Sequence, residues 1–178
     1  FLIDHNQPGR PVIKNDLMYF YRKDASGEHA YWQTDGTAAG THELEFSLPI
    51  TTSDFAVLPR GIVYADQVDR LRGKDPWLAS GEGPVLLSEM PVEPKAGVGI
   101  SNLMSVGNNV FYETSPRDPE LWVLRSNSKS PFRVKRFHSR LENAEIENFH
   151  PRRYATTATD VYFVAKDSNR NTLWATDG

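Results

Sequence analysis

Leu17-Met18-Tyr19-Phe20-Tyr21 is followed by Ala30-Tyr31-Trp32-Gln33-Thr34-Asp35-Gly36-Thr37, and this pairing of an aromatic run with a tryptophan strand decides the fold. The aromatic Phe20 stands 12 residues before Trp32. The same pairing returns three times. Ile62-Val63-Tyr64-Ala65 precedes Trp77, Val110-Phe111-Tyr112 precedes Trp122, and Val161-Tyr162-Phe163-Val164 precedes Trp174. Tyr64, Tyr112 and Phe163 stand 13, 10 and 11 residues before their tryptophans, and the tryptophans themselves are 45, 45 and 52 residues apart. A period of that size, built from short runs rich in aromatic and β-branched residues and punctuated by Gly, Pro, Asn, Asp and Ser, is the signature of a repeated four-stranded β unit.

The remaining strands of each unit follow from the flanks. A shorter apolar stretch comes first: Pro11-Val12-Ile13, Phe55-Ala56-Val57-Leu58, Leu103-Met104-Ser105-Val106 and Arg153-Tyr154-Ala155. A last strand follows the tryptophan: His42 to Phe46, Val85 to Ser88 and Phe132 to Phe137. The fourth unit lacks this strand at the C-terminus, and Phe1-Leu2-Ile3-Asp4 at the N-terminus has the right character to supply it. The fold expected is all-β: a β-propeller of four four-stranded antiparallel blades, either a closed four-bladed ring or part of a larger propeller. The blades span roughly 10–48, 54–92, 101–138 and 149–178, the last completed by residues 1–5, in one domain over 1–178. Sustained helical periodicity is absent; Ser139 to Phe149 is expected to be a charged connection between blades.

Alternate side chains of a strand point to opposite faces. On the tryptophan strands one face carries Ala30, Trp32 and Thr34, then Trp77 and Ala79, Trp122 and Leu124, Trp174 and Thr176. The other carries Tyr31, Leu78, Leu121 with Val123, and Leu173 with Ala175. A sheet covered on one side only would alternate apolar with polar. Apolar groups on both faces suit a sheet held between two others.

The segment Tyr31 to Thr41 resembles the ELWxTDGTxxGT repeat of bacterial exported and surface proteins, and Leu173-Trp174-Ala175-Thr176-Asp177-Gly178 is the same motif cut short. Phe1 to Gly9 resembles the strand and Pro-Gly turn that follow the motif. Units two and three keep the tryptophan and lose Asp-Gly-Thr, ending in Ala79-Ser80-Gly81 and Arg125-Ser126 instead. The resemblance implies a propeller, a setting that is extracellular, at the cell surface or periplasmic, and no catalytic residues.

Composition narrows the chemistry. The chain has 178 residues, 20 Lys plus Arg against 23 Asp plus Glu, a formal net charge of −3 and no cysteine. There is no basic footprint for nucleic acid, no thiolate site, and no apolar run that would form a transmembrane segment. The opening Phe1-Leu2 and closing Asp177-Gly178 suggest a piece of a longer protein, so the lack of a signal peptide carries no weight.

Candidate chemistry is sparse. Asp167, Asn169 and Asn171 have the spacing of early calcium-loop ligands, yet Thr172 replaces the required glycine and Gly178 stands where an acid is needed, so a hydrophilic hairpin tip is expected there and at Asp24 to Glu28. Glu113 and Asp66 follow the aromatic strands and are the acids a glycosidase pair would draw on, although nothing sets them apart from surface acids. His5, His29, His42, His138 and His150 share no metal-binding spacing. Arg133, Lys135, Arg136, His138 and Arg140, extended by Arg152 and Arg153, form a basic strip; it is read as edge protection, with an acidic partner or anionic headgroups as its functional alternative. No catalytic, metal or cofactor residue is assigned and binding residues stay unassigned. The expected function is a non-enzymatic, protein-binding scaffold, exported or part of a larger assembly. A carbohydrate-binding or carbohydrate-processing propeller is the alternative.

Overall fold

The computed structural model describes residues 11–23, 29–45, 48, 55–67, 74–88, 99–114, 120–136, 152–167 and 170–178. Among these residues there is no helix; fifteen strands form four antiparallel sheets. The first contains β1 (Val12–Lys14), β2 (Leu17–Lys23), β3 (His29–Thr34) and β4 (His42–Glu43). The second contains β5 (Phe55–Leu58), β6 (Gly61–Gln67), β7 (Lys74–Ser80) and β8 (Gly83–Leu86). The third contains β9 (Ile100–Val106), β10 (Asn109–Thr114), β11 (Glu120–Arg125) and β12 (Phe132–Arg136). The fourth contains β13 (Arg152–Thr156), β14 (Val161–Asp167) and β15 (Arg170–Thr176). Within every sheet the strands lie side by side in chain order, so each sheet is a local meander closed by hairpins.

The aromatic residues paired by spacing are direct cross-strand partners. Phe20 opposes Trp32, Tyr64 opposes Trp77, Tyr112 opposes Trp122 and Phe163 opposes Trp174. Cross-strand aromatic pairs stabilise a sheet because their rings fall within contact distance on one face. Register therefore fixes which face each tryptophan joins, since a slip of one residue would turn it to the other side.

Three apolar cores fill the gaps between successive sheets. Tyr21 and Tyr31 of the first meet Phe55, Ile62 and Tyr64 of the second, with Trp77 against them. Val63 and Leu78 of the second meet Val110, Tyr112 and Leu124 of the third, with Trp122 alongside. Phe111, Leu121 and Val123 of the third meet Val161 and Phe163 of the fourth, with Trp174 alongside. The second and third sheets are thus covered on both faces, as their two-sided apolar pattern demands. In each of these gaps the tryptophan comes from the later sheet and faces the earlier one.

Among the described residues none of the three cores joins the fourth sheet to the first, so no closed ring is seen there. The fourth sheet has three described strands; residues 1–5, expected to complete it, and Ser139 to Phe149 lie outside the described residues. Two last strands differ from their expected bounds: β4 is shorter than His42 to Phe46, and β8 lies two residues earlier than Val85 to Ser88. β4 keeps only His42 and Glu43, although the Leu44 N–H still donates to the Tyr31 carbonyl at 2.8 Å. β8 runs from Gly83 to Leu86, with the Leu87 N–H donating to the Pro76 carbonyl at 2.9 Å beyond it.

The Thr34 to Thr41 turn explains its own sequence. Asp35 Oδ1 accepts from the Thr37 N–H at 2.8 Å and from its hydroxyl at 2.7 Å. Thr37 Oγ1 accepts from the Gly40 N–H at 2.9 Å, and Thr34 Oγ1 accepts from the Gly36 N–H at 2.9 Å. The Thr41 hydroxyl donates to the Thr37 carbonyl at 2.5 Å, which leaves Thr34 as the donor in its 2.6 Å contact with Thr41. Gly36 holds a φ of +92°, where a side chain is strained. At Gly40 a Cβ would stand 2.1 Å from the Asp35 carboxylate. The fourth sheet starts the same turn: the Gly178 N–H donates to Thr176 Oγ1 at 3.0 Å. Ser80 and Ser128 repeat the local bond, accepting from Glu82 at 3.4 Å and Ser130 at 3.3 Å.

Gly40→Ala is expected to dislodge Asp35 from both Thr37 bonds and to destabilise the protein by about 1–3 kcal/mol. Gly81→Ala, at a glycine with open space around it, is expected to change stability by less than about 0.5 kcal/mol. Urea midpoints of the two variants, measured beside the wild type, check the contrast.

Candidate interaction surface

Charged residues in a stack of apolar sheets must either reach solvent or find partners. Three cations at the end of the stack that carries the β1–β2 and β3–β4 turns do the latter. Lys14 Nζ, from the first sheet, donates to the Gly107 carbonyl in the β9–β10 turn of the third. Arg60, after β5, donates to the Ser128 carbonyl beyond β11. Arg125, at the end of β11, donates through Nε to the Gly178 carbonyl at 3.0 Å. Each link joins a sheet to a later one. Burial pushes the Lys14 ammonium below its usual range, so its carbonyl partner offsets a real desolvation cost. Deeper in, the Val57 N–H of β5 donates to Ser105 Oγ of β9 at 2.7 Å, tying the first strands of the second and third sheets together.

The basic strip predicted on the last strand of the third sheet is there as β12, at the sheet edge, but two of its members are engaged within that sheet. Arg133 and Arg136 reach Glu120 Oε1 at 2.9 and 2.5 Å, while Glu120 Oε2 accepts from the Trp122 indole at 3.0 Å. Burial alone would raise the Glu120 carboxyl; the hydrogen bonds from Arg136 and Arg133 outweigh it and hold the group below its ordinary value. Lys135 lies with its ammonium 3.8 Å from the centre of the Trp174 ring, a cation–π contact that bridges the third and fourth sheets. The strip is thus used largely in packing. His138 and Arg140 lie outside the described residues; Arg152 and Arg153 fall in β13.

The two acids named for a glycosidase pair are not brought together. Glu113 shares a face of β10 with Phe111, toward the fourth sheet, whereas Asp66 shares a face of β6 with Tyr64, toward the first. Asp66 instead opposes Asp75 across β6 and β7. Glu113 is buried, accepts from Asn102 Nδ2 at 3.0 Å, and has its carboxyl pushed up to about 7 by desolvation, which the Asn102 bond only partly offsets. Asn102 stands at a φ of +54° beside a register shift in the β9–β10 pairing, so a local irregularity brings its amide to the acid. Tyr64 is likewise pushed up to about 12, chiefly by burial and then by the Asp66 charge.

Among the described residues no group of three or more His, Asp or Glu side chains could hold a metal ion, and no helix is long and apolar enough to cross a membrane. His42 is exposed on β4, and His29 lies in β3; His5, His138 and His150 lie outside the described residues. So do Asp24 to Glu28 and the Ser168-Asn169 tip of the candidate calcium loop.

What stands out on the surface is apolar. Val85 on β8 is 51% exposed and Phe132 on β12 is 37% exposed. The two occupy the same position: Val85 opposes Leu78, the residue after Trp77, and Phe132 opposes Val123, the residue after Trp122. The outermost strands of adjacent sheets therefore repeat an apolar side chain at one register. The Arg125 guanidinium lies 4.7 Å from the Phe132 ring centre. The sequence hides this equivalence because the intervening turns differ in length. No family model matches the chain, and no curated protein gives a significant match.

Glu113 and Glu120 are expected to respond oppositely to pH. A folded-state value raised from 4.5 to about 7 removes stability as pH rises between those values, on the order of 3 kcal/mol in all. Glu113→Gln is therefore expected to gain on the wild type by that amount between pH 4.5 and pH 8. Glu120, held below its ordinary value, contributes stability above the unfolded value that is lost as pH falls through its folded value. Glu120→Gln is expected to lose most relative to wild type at neutral pH. Chemical denaturation across this pH range tests both signs.

Proposed function

We propose that the four sheets are blades of a β-propeller and that the protein is a non-enzymatic, exported scaffold which binds another protein through its outer rim. The observation that carries the reading is the register-matched pair of exposed apolar residues, Val85 and Phe132, on the outermost strands of neighbouring sheets. Interface cores favour aromatic and aliphatic anchors ringed by polar groups. Phe132 has that setting, with Arg125 over its ring and Arg133 beside it in sequence.

The propeller reading is supported by the meander order of every sheet, by stacking in chain order, and by the bond linking the first strands of adjacent sheets. The non-enzymatic reading is supported by where the charges go. Lys14, Arg60 and Arg125 clamp backbone carbonyls, Glu120 is tied to two arginines and an indole, and Glu113 and Asp66 face different sheets. The exported setting rests on the resemblance of residues 31–41 to the repeat of exported proteins.

A photo-crosslinking residue placed at Val85 or at Phe132, in the full-length protein in its own cell envelope, is expected to give one discrete adduct shared by both positions. The same residue at exposed Glu43 on β4 is expected to give none. Absence of any adduct at both rim positions overturns the binding reading; a hydrolytic activity abolished by Glu113→Gln overturns the non-enzymatic one.

A further inference from the structure

The outer edge of the third sheet carries more positive charge than its packing neutralises. The 17 residues from Glu120 to Arg136 hold five cations and one acid, in a chain whose formal net charge is −3. That acid, Glu120, is buried and shared by two of the cations: Arg133 donates to it through Nη1 and Arg136 through Nε, while the two arginine side chains stay 49% and 44% exposed. One carboxylate cannot neutralise two guanidinium groups. It does hold both in place, which lowers the ordering cost of meeting a further anion. Lys129, in the turn between β11 and β12, is exposed. Arg125, exposed where that turn begins, spends its donors on the uncharged Gly178 carbonyl and lies over the Phe132 ring, so its charge is not cancelled. Arg60 brings a further cation from the second sheet to the Ser128 carbonyl of the same turn. Phe132 therefore lies within a ring of cations.

We infer that the partner at this rim is an acidic protein segment, whose carboxylates meet Lys129, Arg133 and Arg136 and whose apolar side chain covers Phe132. The inference rests on the rim-binding reading above and names the chemistry of the partner. Guanidinium groups bind carboxylates in a fixed fork geometry, and charges set around an apolar centre govern encounter rate and partner choice more than raw affinity. The cations thus select the partner and Phe132 anchors it. An anionic membrane suits the site less well. A surface-bound element buries an apolar face about 5–10 Å into the headgroup boundary. Phe132 is 37% exposed and stacked with Arg125, so it has little ring to insert.

Charge variants of the third sheet, combined with the photo-crosslinking residue at Val85 and in parallel at Phe132 of the full-length protein in its own cell envelope, provide the test. Lys129→Glu is expected to lower the adduct yield about fivefold, and Lys129→Glu with Arg133→Gln more than about tenfold, while Lys129→Arg leaves it unchanged. Salt at about 1 M, which cuts the screening length to about 3 Å, is expected to act like the double variant. Sequencing of the crosslinked peptide is expected to find it rich in Asp and Glu. Thermal unfolding is measured beside the wild type, and Lys129→Glu, on an exposed turn, serves alone if the double variant proves unstable. An adduct undiminished by Lys129→Glu and by salt overturns the acidic partner and leaves the rim-binding reading standing. No adduct at either position in the wild type overturns both. Binding of the purified chain to phosphatidylcholine vesicles containing one-third phosphatidylglycerol, lost in Lys129→Glu, overturns the inference in favour of a membrane.

Discussion

The structure depends on one constraint: neither face of a sheet in this chain can be left to water. Tryptophan and its cross-strand aromatic make one face, and aliphatic or aromatic side chains make the other. A fully covered ring of that size removes about 150–250 Å² from solvent. Because the pair is set by register, its direction is fixed along the whole stack. Trp77, Trp122 and Trp174 all join the core shared with the preceding sheet. The stack therefore has a polarity, and its two ends differ chemically. Within the three cores this polarity makes the packing uniform.

The same constraint governs the charges. A stack with dry gaps has few places where an ionised group keeps its water, so the charged residues near the gaps are handled one by one. Lys14, Arg60 and Arg125 each extend to a backbone carbonyl that a turn would otherwise leave to solvent. Glu120 is stabilised as a carboxylate by two guanidinium groups and an indole N–H. Glu113, where desolvation outweighs the bond from the Asn102 amide, resolves the conflict the other way and holds its proton up to about pH 7. These two acids, seven residues apart on consecutive strands, differ because β10 and β11 direct them to opposite faces of one sheet. Glu120 shares the Trp122 face near the β12 edge, where arginines can reach it. Glu113 shares the Phe111 face, which the fourth sheet covers.

Much of the fold was legible because it is written in local periodicity. Alternation along the tryptophan strands gave the correct face for Trp77, Leu78, Leu121, Trp122, Val123 and Trp174, and spacing alone identified the four cross-strand aromatic pairs. Hairpin meanders make this possible, since strand partners are near in sequence. The turn at Thr34 to Thr41 was legible for the same reason: its bonds all fall within seven residues. What spacing did not reveal was long-range. Lys14 reaches a carbonyl 93 residues away, and a lysine ahead of an Asn-Asp turn carries no mark of that. The basic residues of β12 read as edge protection, because sequence shows charge and not the acid on the adjoining strand that neutralises it. The exposure of Val85 and Phe132 was equally hidden. Apolar residues on a last strand look alike whether they are covered or not, and turns of unequal length obscure their common register.

Covering both faces has an energetic consequence for how the sheets rank. In a quasi-linear array the stability of a unit is its own term plus one term for each neighbour it touches. Among the described residues the second and third sheets share cores with two neighbours, the first and fourth with one. Among the described residues β3, β7 and β11 each have a partner on their outer side. The ties of the fourth sheet to the rest are specific: the Phe163–Trp174 face in the shared core, Lys135 over the Trp174 ring, and the Gly178 turn held by Arg125 and seated near Phe111 and Val123. All of these lie on the side toward the third sheet. On the other side Leu173 projects into solvent, although the same register position in the third sheet is dry.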